Sequence, residues 1–362
     1  MATPLPLHAL HESLGARFGE ADGRLVPLAY GDAAREHEAV REGAGLIDRS
    51  ERGKIEATGR DRSSFFQGML SNDVKTLQPG QGCEAAFLDV HGKIVALLTV
   101  HCLPDRLVLE LGRQFVGPTL ATLDRFLISE KVELEDASEE AGILTVAGPA
   151  ARKTLEEVLG QALPDLPVHH HVPVALDGGQ VRVVRSEESG EEGYDLWASP
   201  GDLQGLWERL RRAGTVPVGR EVWNVLRVEA GVVWHGVDVG ASTLLLEAPL
   251  PAAFSLKKGC YLGQEVLARI TYRGHVNRQI VGFRLPDRRV PGAGSRVLVE
   301  GKDVGWITSA VVSPALGHAL ALGYLRREHW GPGTRVEVEG PEGTLTAEVS
   351  ALPFYRRNPA GG

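Results

Sequence analysis

The spacing of apolar and polar residues predicts regions of different secondary structure along the chain. In the first region, helical spacing covers residues 32–43 and 65–70, while 43–50 has the character of a turn and 54–58 alternates like a strand. Further alternating segments separated by short turns, at 84–90, 93–100 and 106–111, predict an antiparallel meander. We therefore expect a mixed helix-and-sheet domain here.

The spacing of apolar and polar residues changes twice more along the chain. From residue 143 the order is a strand, the helix 150–159, two strands near 181–185 and 194–198, and the helix 203–212, which is typical of a split β-α-β unit of ferredoxin-like kind. A further helix over 221–230 ends at Gly231. After residue 278, short alternating segments separated by Gly-rich turns predict a small β-barrel or sandwich.

A chain of 362 residues is longer than one hydrophobic core usually serves. We therefore expect an α+β protein of three domains. The predicted boundaries are 1–138 for an N-terminal α+β domain with the meander, 139–278 for a second, ferredoxin-like α+β domain, and 279–362 for a C-terminal β-barrel.

Composition narrows the classes of function. The chain is 43% hydrophobic and 24% charged with a formal net charge of −8, as in an ordinary, mildly acidic soluble protein. This charge argues against nucleic acid as a direct partner, because phosphate backbones attract basic surfaces. The sequence has neither an apolar run long enough to span a membrane nor the pattern of a targeting peptide. We expect a cytoplasmic protein without a membrane partner, and a monomer.

The cysteines and histidines predict no metal site. Cys83, Cys102 and Cys260 are widely spaced and form no C-x-x-C pair, which argues against a disulfide framework and a zinc ribbon. Three thiols also cannot hold a four-cysteine iron–sulfur cluster. In the histidine run 169–171, only His169 and His171 would share a face of an extended chain, and we expect this run to be a solvated loop.

The densest group of reactive side chains lies at residues 257–265, K-K-G-C-Y-L-G-Q-E. Its glycines allow positive φ and a close approach of a ligand, and the residues after Gly263 are typical of a short helix. Neighbouring lysines and a helix N-terminus would both lower the pKa of a thiol at Cys260. The alternative is that Cys260 is a small buried apolar residue in a glycine-rich turn; its neighbours favour the reactive thiol.

Residues 258–265 resemble the K-G-C-Y-x-G-Q-E signature of the YgfZ-type folate-binding proteins, which are relatives of the glycine-cleavage T-protein and act in iron–sulfur protein maturation and tRNA modification. The stretches 45–50, 71–74, 92–94 and 226–231 also resemble the T-protein superfamily. The resemblance implies tetrahydrofolate, or a one-carbon derivative of it, as the cofactor. It also implies three domains arranged as a ring around a central opening.

The resemblance implies roles for particular residues. Asp195, at the end of a T-G-E-x-G-x-E-like loop, would bind the pterin edge, because a carboxylate accepts two adjacent N–H donors at once. Arg227, in the L-R-x-E-A-G-like segment, would bind beside it. Cys260 would be the reactive thiol and Lys258 its activator. The remaining residues expected at the folate site are Tyr261, Gln264, Glu265 and Arg269, although basic residues here are also compatible with a solvated face.

One departure from the family pattern bears on catalysis. Aminomethyltransferases carry paired aspartates at the positions of Ala96 and Leu97, and acid–base catalysis of one-carbon transfer needs a titratable group there. Asp89 lies nearby in the same meander, but we do not expect it to substitute. Glu188, where the T-protein pattern has a tyrosine, is a second departure.

The sequence leaves several functions open. The first hypothesis is a folate-binding accessory protein, not an aminomethyltransferase, that supports iron–sulfur cluster assembly or repair and, through client enzymes, tRNA modification. Its partners would be iron–sulfur assembly factors or those clients. The alternative is a tetrahydrofolate-dependent aminomethyltransferase or demethylase of the T-protein type. A third possibility is a folate-storing or structural module with an inert Cys260.

Overall fold

The computed structural model describes residues 2–176, 179–340 and 343–357. Its α-helices are α1 His8–Ser13, α2 Ala33–Glu42, α3 Arg62–Met69, α4 Val116–Asp124, α5 Ala151–Leu159, α6 Leu203–Arg212, α7 Arg220–Glu229 and α8 Gln264–Arg273.

The β-strands up to residue 147 are β1 Thr3–Pro4, β2 Arg17–Ala21, β3 Arg24–Ala29, β4 Gly45–Asp48, β5 Gly53–Thr58, β6 Gly82–Leu88, β7 Ile94–Cys102, β8 Leu107–Leu111, β9 Glu133–Asp136 and β10 Gly142–Ala147. The later strands are β11 His171–Leu176, β12 Gly179–Ser186, β13 Gly193–Ala198, β14 Val216–Pro217, β15 Arg278–Arg284, β16 Arg296–Val299, β17 Lys302–Val312, β18 Ala319–Arg326, β19 Arg335–Gly340 and β20 Gly343–Ser350.

These strands form four sheets, in agreement with the predicted α+β class. A small sheet has the order β1-β3-β2, a five-stranded sheet β6-β7-β8-β5-β9, and a six-stranded sheet β11-β12-β13-β10-β4-β14. Strands β15 to β20 close into a barrel with the order β15-β18-β17-β16-β19-β20. The barrel begins at the residue where the sequence pattern changes.

Strand β4 corrects one prediction. Residues 43–50 were expected to be a turn, but Gly45–Asp48 pairs antiparallel with β10 and parallel with β14 in the six-stranded sheet. All its residues are buried, so the strand shows none of the apolar–polar alternation that identifies half-buried strands. The N-terminal region thus contributes to the second sheet, and the boundary near residue 138 does not separate the sheets.

Helices α5 and α6 cover one face of the six-stranded sheet. Alternate residues of β13, Tyr194, Leu196 and Ala198, pack into the apolar cluster that these helices complete. Because successive side chains of a strand point to opposite faces, Asp195 and Trp197 lie on the other face. There Trp197 packs with Leu103, Val108, Ile143 and Val184, which joins this sheet to the five-stranded one.

The five-stranded sheet likewise has one face in an apolar core and one face toward the other sheet. Ile55, Ala57, Leu107, Leu109 and Leu111 pack into its own core with α3 and α4. The alternate residues of β5 and β8, which are Lys54, Glu56, Val108 and Glu110, therefore face the second sheet. We call the region between these two faces the sheet interface; it carries several charged groups, and both sites described below lie in it.

Across the described ranges, no helix combines the length and the apolar character that crossing a membrane requires.

Candidate functional site

Asp195 lies on the sheet interface with a buried carboxyl group. It is opposite Thr145 of β10, whose hydroxyl donates a 2.6 Å hydrogen bond to Oδ1. Oδ2 accepts no hydrogen bond from the part of the chain that the structure describes. Burial raises the pKa of Asp195 to about 6, Arg49 opposes this rise, and Glu110 and Glu188 add to it. The carboxyl group therefore has one oxygen free for a ligand.

Arg49 follows β4 and is 7% exposed. Its Nη1 donates to Oε2 of Glu188 at 2.5 Å, and its guanidinium lies 5.5 Å from the ring centroid of Trp223. Glu188 also accepts from the indole nitrogens of Trp234 at 2.6 Å and Trp223 at 3.4 Å. Burial alone would raise the pKa of Glu188, but Arg49 and Arg52 outweigh it and hold this pKa below its usual value. Glu188 is thus an ionised group that orients two indole rings.

A second ion pair completes this region from the five-stranded sheet. Nε of Arg52 donates to Glu110 at 2.8 Å, and Arg52 and His101 keep the pKa of Glu110 well below its usual value despite burial.

The ring of His235 stacks on Phe115 with 3.6 Å between centroids. Burial, with a smaller contribution from Arg52, lowers the pKa of His235 to about 4, so His235 is neutral near pH 7.

We call this group the central cluster and define it by its polar and aromatic members: Arg49, Arg52, Glu110, Thr145, Glu188, Asp195, Trp223, Trp234 and His235. It combines a carboxyl group with a free oxygen, fixed cations and flat aromatic faces. A pterin offers two adjacent N–H donors on a flat ring, and such a ring pairs with a carboxylate and stacks on aromatic side chains. The residues present are compatible in their chemistry with a reduced folate, and the binding of the pterin by Asp195 stays a prediction.

Arg227 is placed differently from the prediction. It is fully buried and donates to Asn224 at 2.9 Å, to the carbonyl of Val232 at 3.0 Å, to Ser309 at 2.6 Å, and to Asp238. These partners connect α7 to the following loop and to barrel strand β17. The guanidinium is therefore occupied by protein groups, and pterin binding by Arg227 stays a prediction.

The loop that leads into α8 carries the signature residues 258–265, and we call it the signature loop; it packs against α3. The backbone N–H of Leu262 donates to the carbonyl of Gly68, and Gln67 Nε2 donates to the carbonyl of Lys258, both at 3.0 Å. Gly263 is the N-cap residue before α8 with φ +81°, and a Cβ there would lie 2.4 Å from the carbonyl oxygen of Asp89. Only glycine fits this contact. In the described chain, none of the loop's hydrogen bonds leads to the central cluster.

Cys260 is exposed, as expected for a reactive thiol, but Lys258 points inward. Its ammonium donates to the carbonyl of Gln67 at 2.6 Å and to that of Leu70. Burial lowers the pKa of Lys258 to about 8, while Asp73 and Cys83 oppose this change. The structure therefore places the charge of Lys258 near Cys83, and activation of Cys260 by Lys258 stays a prediction without a contact to support it.

None of the described contacts of the other predicted folate ligands of this loop is made with Asp195. Tyr261 is buried in an apolar cluster with barrel residues, and Gln264 accepts from the backbone N–H of Tyr261 at 3.2 Å. Glu265 and Arg269 are exposed on α8. These residues shape the loop and its helix, and their contact with folate stays a prediction.

The positions that matter for acid catalysis are apolar in the structure. Ala96 is fully buried within β7, and Leu97 packs against the cluster that includes Tyr261. Asp89 lies in the turn between β6 and β7, where its Oδ1 accepts the backbone N–H groups of His91 and Lys93 at 2.8 and 2.9 Å. The carboxylate of Asp89 thus stabilises this turn, and the expectation that it does not replace an acid at positions 96 and 97 stays a prediction.

The histidine run is only partly a solvated loop. His171 begins β11 and is 2% exposed, and burial, with charges on His101 and Arg182, lowers its pKa to about 3. The alternation of the following strand turns this residue inward, which corrects the prediction. Within the described residues, no group of three or more His, Cys, Asp or Glu side chains is arranged to hold a metal ion.

Sequence reasoning missed most of the central cluster. Arg49 follows β4, Trp223 lies in α7 and Trp234 lies in the loop after α7, and no local motif marks these three residues. Thr145 could have been found, because a polar residue in the apolar strand 143–147 signals a buried polar partner.

Comparison with known proteins gives a consistent result over the whole chain. The GCVT N-terminal domain model matches residues 7–258, and the glycine cleavage T-protein C-terminal barrel domain model matches residues 278–356. The aminomethyltransferase of Rubrobacter xylanophilus is 33% identical over 361 residues, covering 99% of this chain and 96% of that protein. The aminomethyltransferase of Saccharopolyspora erythraea is 31% identical, covering 98% of each chain.

A solved structure gives the same result as the sequence comparisons. The glycine cleavage system aminomethyltransferase T from Bartonella henselae superposes with a TM-score of 0.91 at 26% identity, covering 99% of both chains. These names correspond to the alternative interpretation of the sequence, aminomethyltransferase, and they lend no support to the YgfZ-type assignment.

Proposed function

The chain belongs to the glycine cleavage T-protein family, and we propose that it binds tetrahydrofolate in the central cluster through Asp195. The observation that carries this proposal is the Asp195 carboxyl group, which is buried with one oxygen held by Thr145 and the other free. Within the described residues no hydrogen bond to the second oxygen is found, so this oxygen can accept donors that a ligand supplies. The adjacent amino and ring N–H groups of a pterin are such donors.

Two uses of the bound folate follow from different observations. Aminomethyl transfer is favoured by the relatives, whose similarity extends over nearly all of the chain. The accessory role in iron–sulfur maturation is favoured by the apolar residues Ala96 and Leu97 and by the exposed Cys260. A buried alanine cannot donate or accept a proton beside the pterin, so we propose the accessory role, with aminomethyl transfer as the second candidate.

Direct binding tests the shared part of the proposal. Tetrahydrofolate is titrated into wild type, Asp195→Ala and the control Arg335→Gln, which changes an exposed residue of the barrel. Wild type and the control should bind alike, and Asp195→Ala should bind at least about tenfold more weakly, as expected for loss of charge-assisted hydrogen bonds. Equal binding by all three proteins would overturn the assignment of Asp195.

A turnover assay distinguishes the accessory role from aminomethyl transfer. The protein is incubated with tetrahydrofolate and an aminomethylated dihydrolipoyl carrier, and ammonia release is measured. The accessory role predicts no release above the rate of a no-protein control, although folate binds. Release at many turnovers per protein would establish aminomethyl transfer and would require another proton donor than the residues at positions 96 and 97.

A further inference from the structure

A separate cleft lies elsewhere on the sheet interface. It encloses about 210 Å³ and lies among β5, the β7–β8 hairpin, β12 and β13. This volume corresponds to about seven water molecules at liquid density, enough for a small metabolite. The side chains of Lys54, Arg106, Arg182 and Trp197 line the cleft on several sides. Asp195 is not among its lining residues.

Two arginines of the cleft repel each other. Burial and the charge of Arg106 both lower the pKa of Arg182, and Asp105 opposes this change without cancelling it. Nη1 of Arg182 is 3.0 Å from Nδ1 of His171, whose own pKa of about 3 makes it a neutral acceptor near pH 7. A partly buried guanidinium with a neutral partner and a like-charged neighbour is stabilised by an added anion.

Trp197 contributes an unused donor. It lies directly opposite Arg182 on the adjacent strand, so the two side chains share one face of the sheet and are neighbours. Trp197 is 7% exposed, and its indole N–H has no hydrogen-bond partner. Buried N–H groups in folded proteins are normally paired, so this donor lacks the acceptor that such a group usually has.

Lys54 adds a third cation. It is 2% exposed, and its Nζ is 5.8 Å from the ring centroid of Trp197. Its nearest acceptors are backbone carbonyls, those of Arg52 at 3.1 Å and Ser138 at 3.5 Å. Glu110 and Glu51 compensate part of the charge of this buried ammonium, but burial outweighs them and its pKa stays lowered.

The acids of the cleft do not balance these cations. Glu56 pairs with Arg106 at 3.2 Å, and Glu140 is exposed at the rim. Three cationic and two acidic side chains line the cleft, so its lining carries a net positive charge.

We propose that this cleft is a second binding site, distinct from the central cluster, for a small molecule bearing a carboxylate or phosphate group. The anionic oxygens accept from Arg182 and from the indole N–H of Trp197, with Lys54 supplying further charge. The apolar part of the ligand lies against the floor formed by Leu103 and Val108. A ligand here contacts both sheets and so stabilises their interface.

Inorganic phosphate and succinate serve as probes in separate titrations at constant ionic strength. Thermal unfolding and calorimetry are measured for wild type, Arg182→Gln, Trp197→Phe and the exposed control Arg335→Gln. Trp197→Phe keeps an aromatic ring but removes the unpaired N–H together with part of the indole ring system; because that N–H has no partner in the described protein, no internal hydrogen bond is lost. Ligand-induced shifts are compared within each variant, so a change in its baseline stability does not enter the comparison.

We expect at least one probe to raise the unfolding temperature of wild type and Arg335→Gln in a saturable manner. Affinity should fall about tenfold or more in Arg182→Gln and about three- to tenfold in Trp197→Phe. A response to phosphate alone identifies a phosphate ligand, and a response to succinate alone a carboxylate. Unsaturable or absent responses to both probes, or equal affinity in wild type and Arg182→Gln, would overturn the proposal. Because neither titration contains folate, the result does not depend on the proposed function.

Discussion

Thr145 and Asp195 lie opposite one another on adjacent strands, and the threonine hydroxyl donates a 2.6 Å hydrogen bond to one oxygen of the carboxyl group. This bond fixes the rotation of the carboxyl group and leaves its second oxygen for a ligand. A pterin site on a strand pair is more rigid than one on a loop. The following predictions examine this site and the groups around it.

The affinity for tetrahydrofolate should depend on pH through Asp195. Its pKa is raised to about 6, so the carboxylate is ionised above this pH and gains a proton below it. A protonated carboxyl group cannot accept two N–H donors. Affinity should be constant above about pH 7 and fall by up to about tenfold per pH unit below about pH 6. Titration of Asp195→Asn over the same range should give weak binding without this dependence; a matching pH profile in the variant would assign the dependence to another group.

Loss of Arg227 should destabilise the fold. Its ion pair with Asp238 is fully buried, so Arg227→Gln leaves a buried carboxylate without its partner. We expect a loss of about 3–5 kcal/mol in the free energy of unfolding, measured by denaturant titration. The double variant Arg227→Gln/Asp238→Asn should recover part of this loss. If the single variant has wild-type stability but reduced folate affinity, Arg227 is a ligand and not a structural residue.

Lys54 should make stability rise with pH. Burial lowers its pKa from 10.5 to about 8, so between these values the unfolded chain carries a proton that the folded protein has lost. Stability increases with pH wherever the unfolded state binds more protons. Relative to Lys54→Met, wild type should therefore gain up to about 3 kcal/mol between about pH 8 and 10.5. Parallel stability curves for the two proteins would contradict this.

The cysteines should react at very different rates. Cys260 is exposed and Cys102 is buried, while burial raises the pKa of Cys83 to about 12 even though Lys258 opposes it. Because the thiolate is the nucleophile, iodoacetamide near pH 8 should modify Cys260 at least about a hundredfold faster than Cys83. Mass spectrometry of timed samples measures this ratio, and Cys260→Ala is the control. Preferential modification of Cys83 would remove Cys260 as the candidate reactive thiol.

Local patterns predicted the elements well. The helix at 203–212 was predicted with the bounds that α6 has, and the alternating segments after residue 278 form the closed barrel. Cys260 was expected to be accessible, and it is exposed. The burial of Asp195 at the sheet interface is compatible with the role expected from the resemblance of its loop, and that role stays a prediction. Each of these conclusions depends on residues close together in sequence.

Relationships between distant segments were not predictable. Strand β4 is buried on both faces and therefore lacks alternation. The position of Glu110 and Arg52 near Asp195 depends on how two sheets pack, which no single strand pattern records. The direction of Lys258, toward α3 and away from Cys260, is set by carbonyl groups nearly 190 positions earlier in the chain.

Calorimetric titration with tetrahydrofolate, run on wild type, Asp195→Ala and Cys260→Ala, tests the central claim most directly. The account predicts that wild type and Cys260→Ala bind alike and that Asp195→Ala loses at least about tenfold in affinity, because the pterin is held at the sheet interface and the cysteine lies on a separate surface loop. Absence of binding to wild type, or binding that Asp195→Ala leaves unchanged, would contradict it.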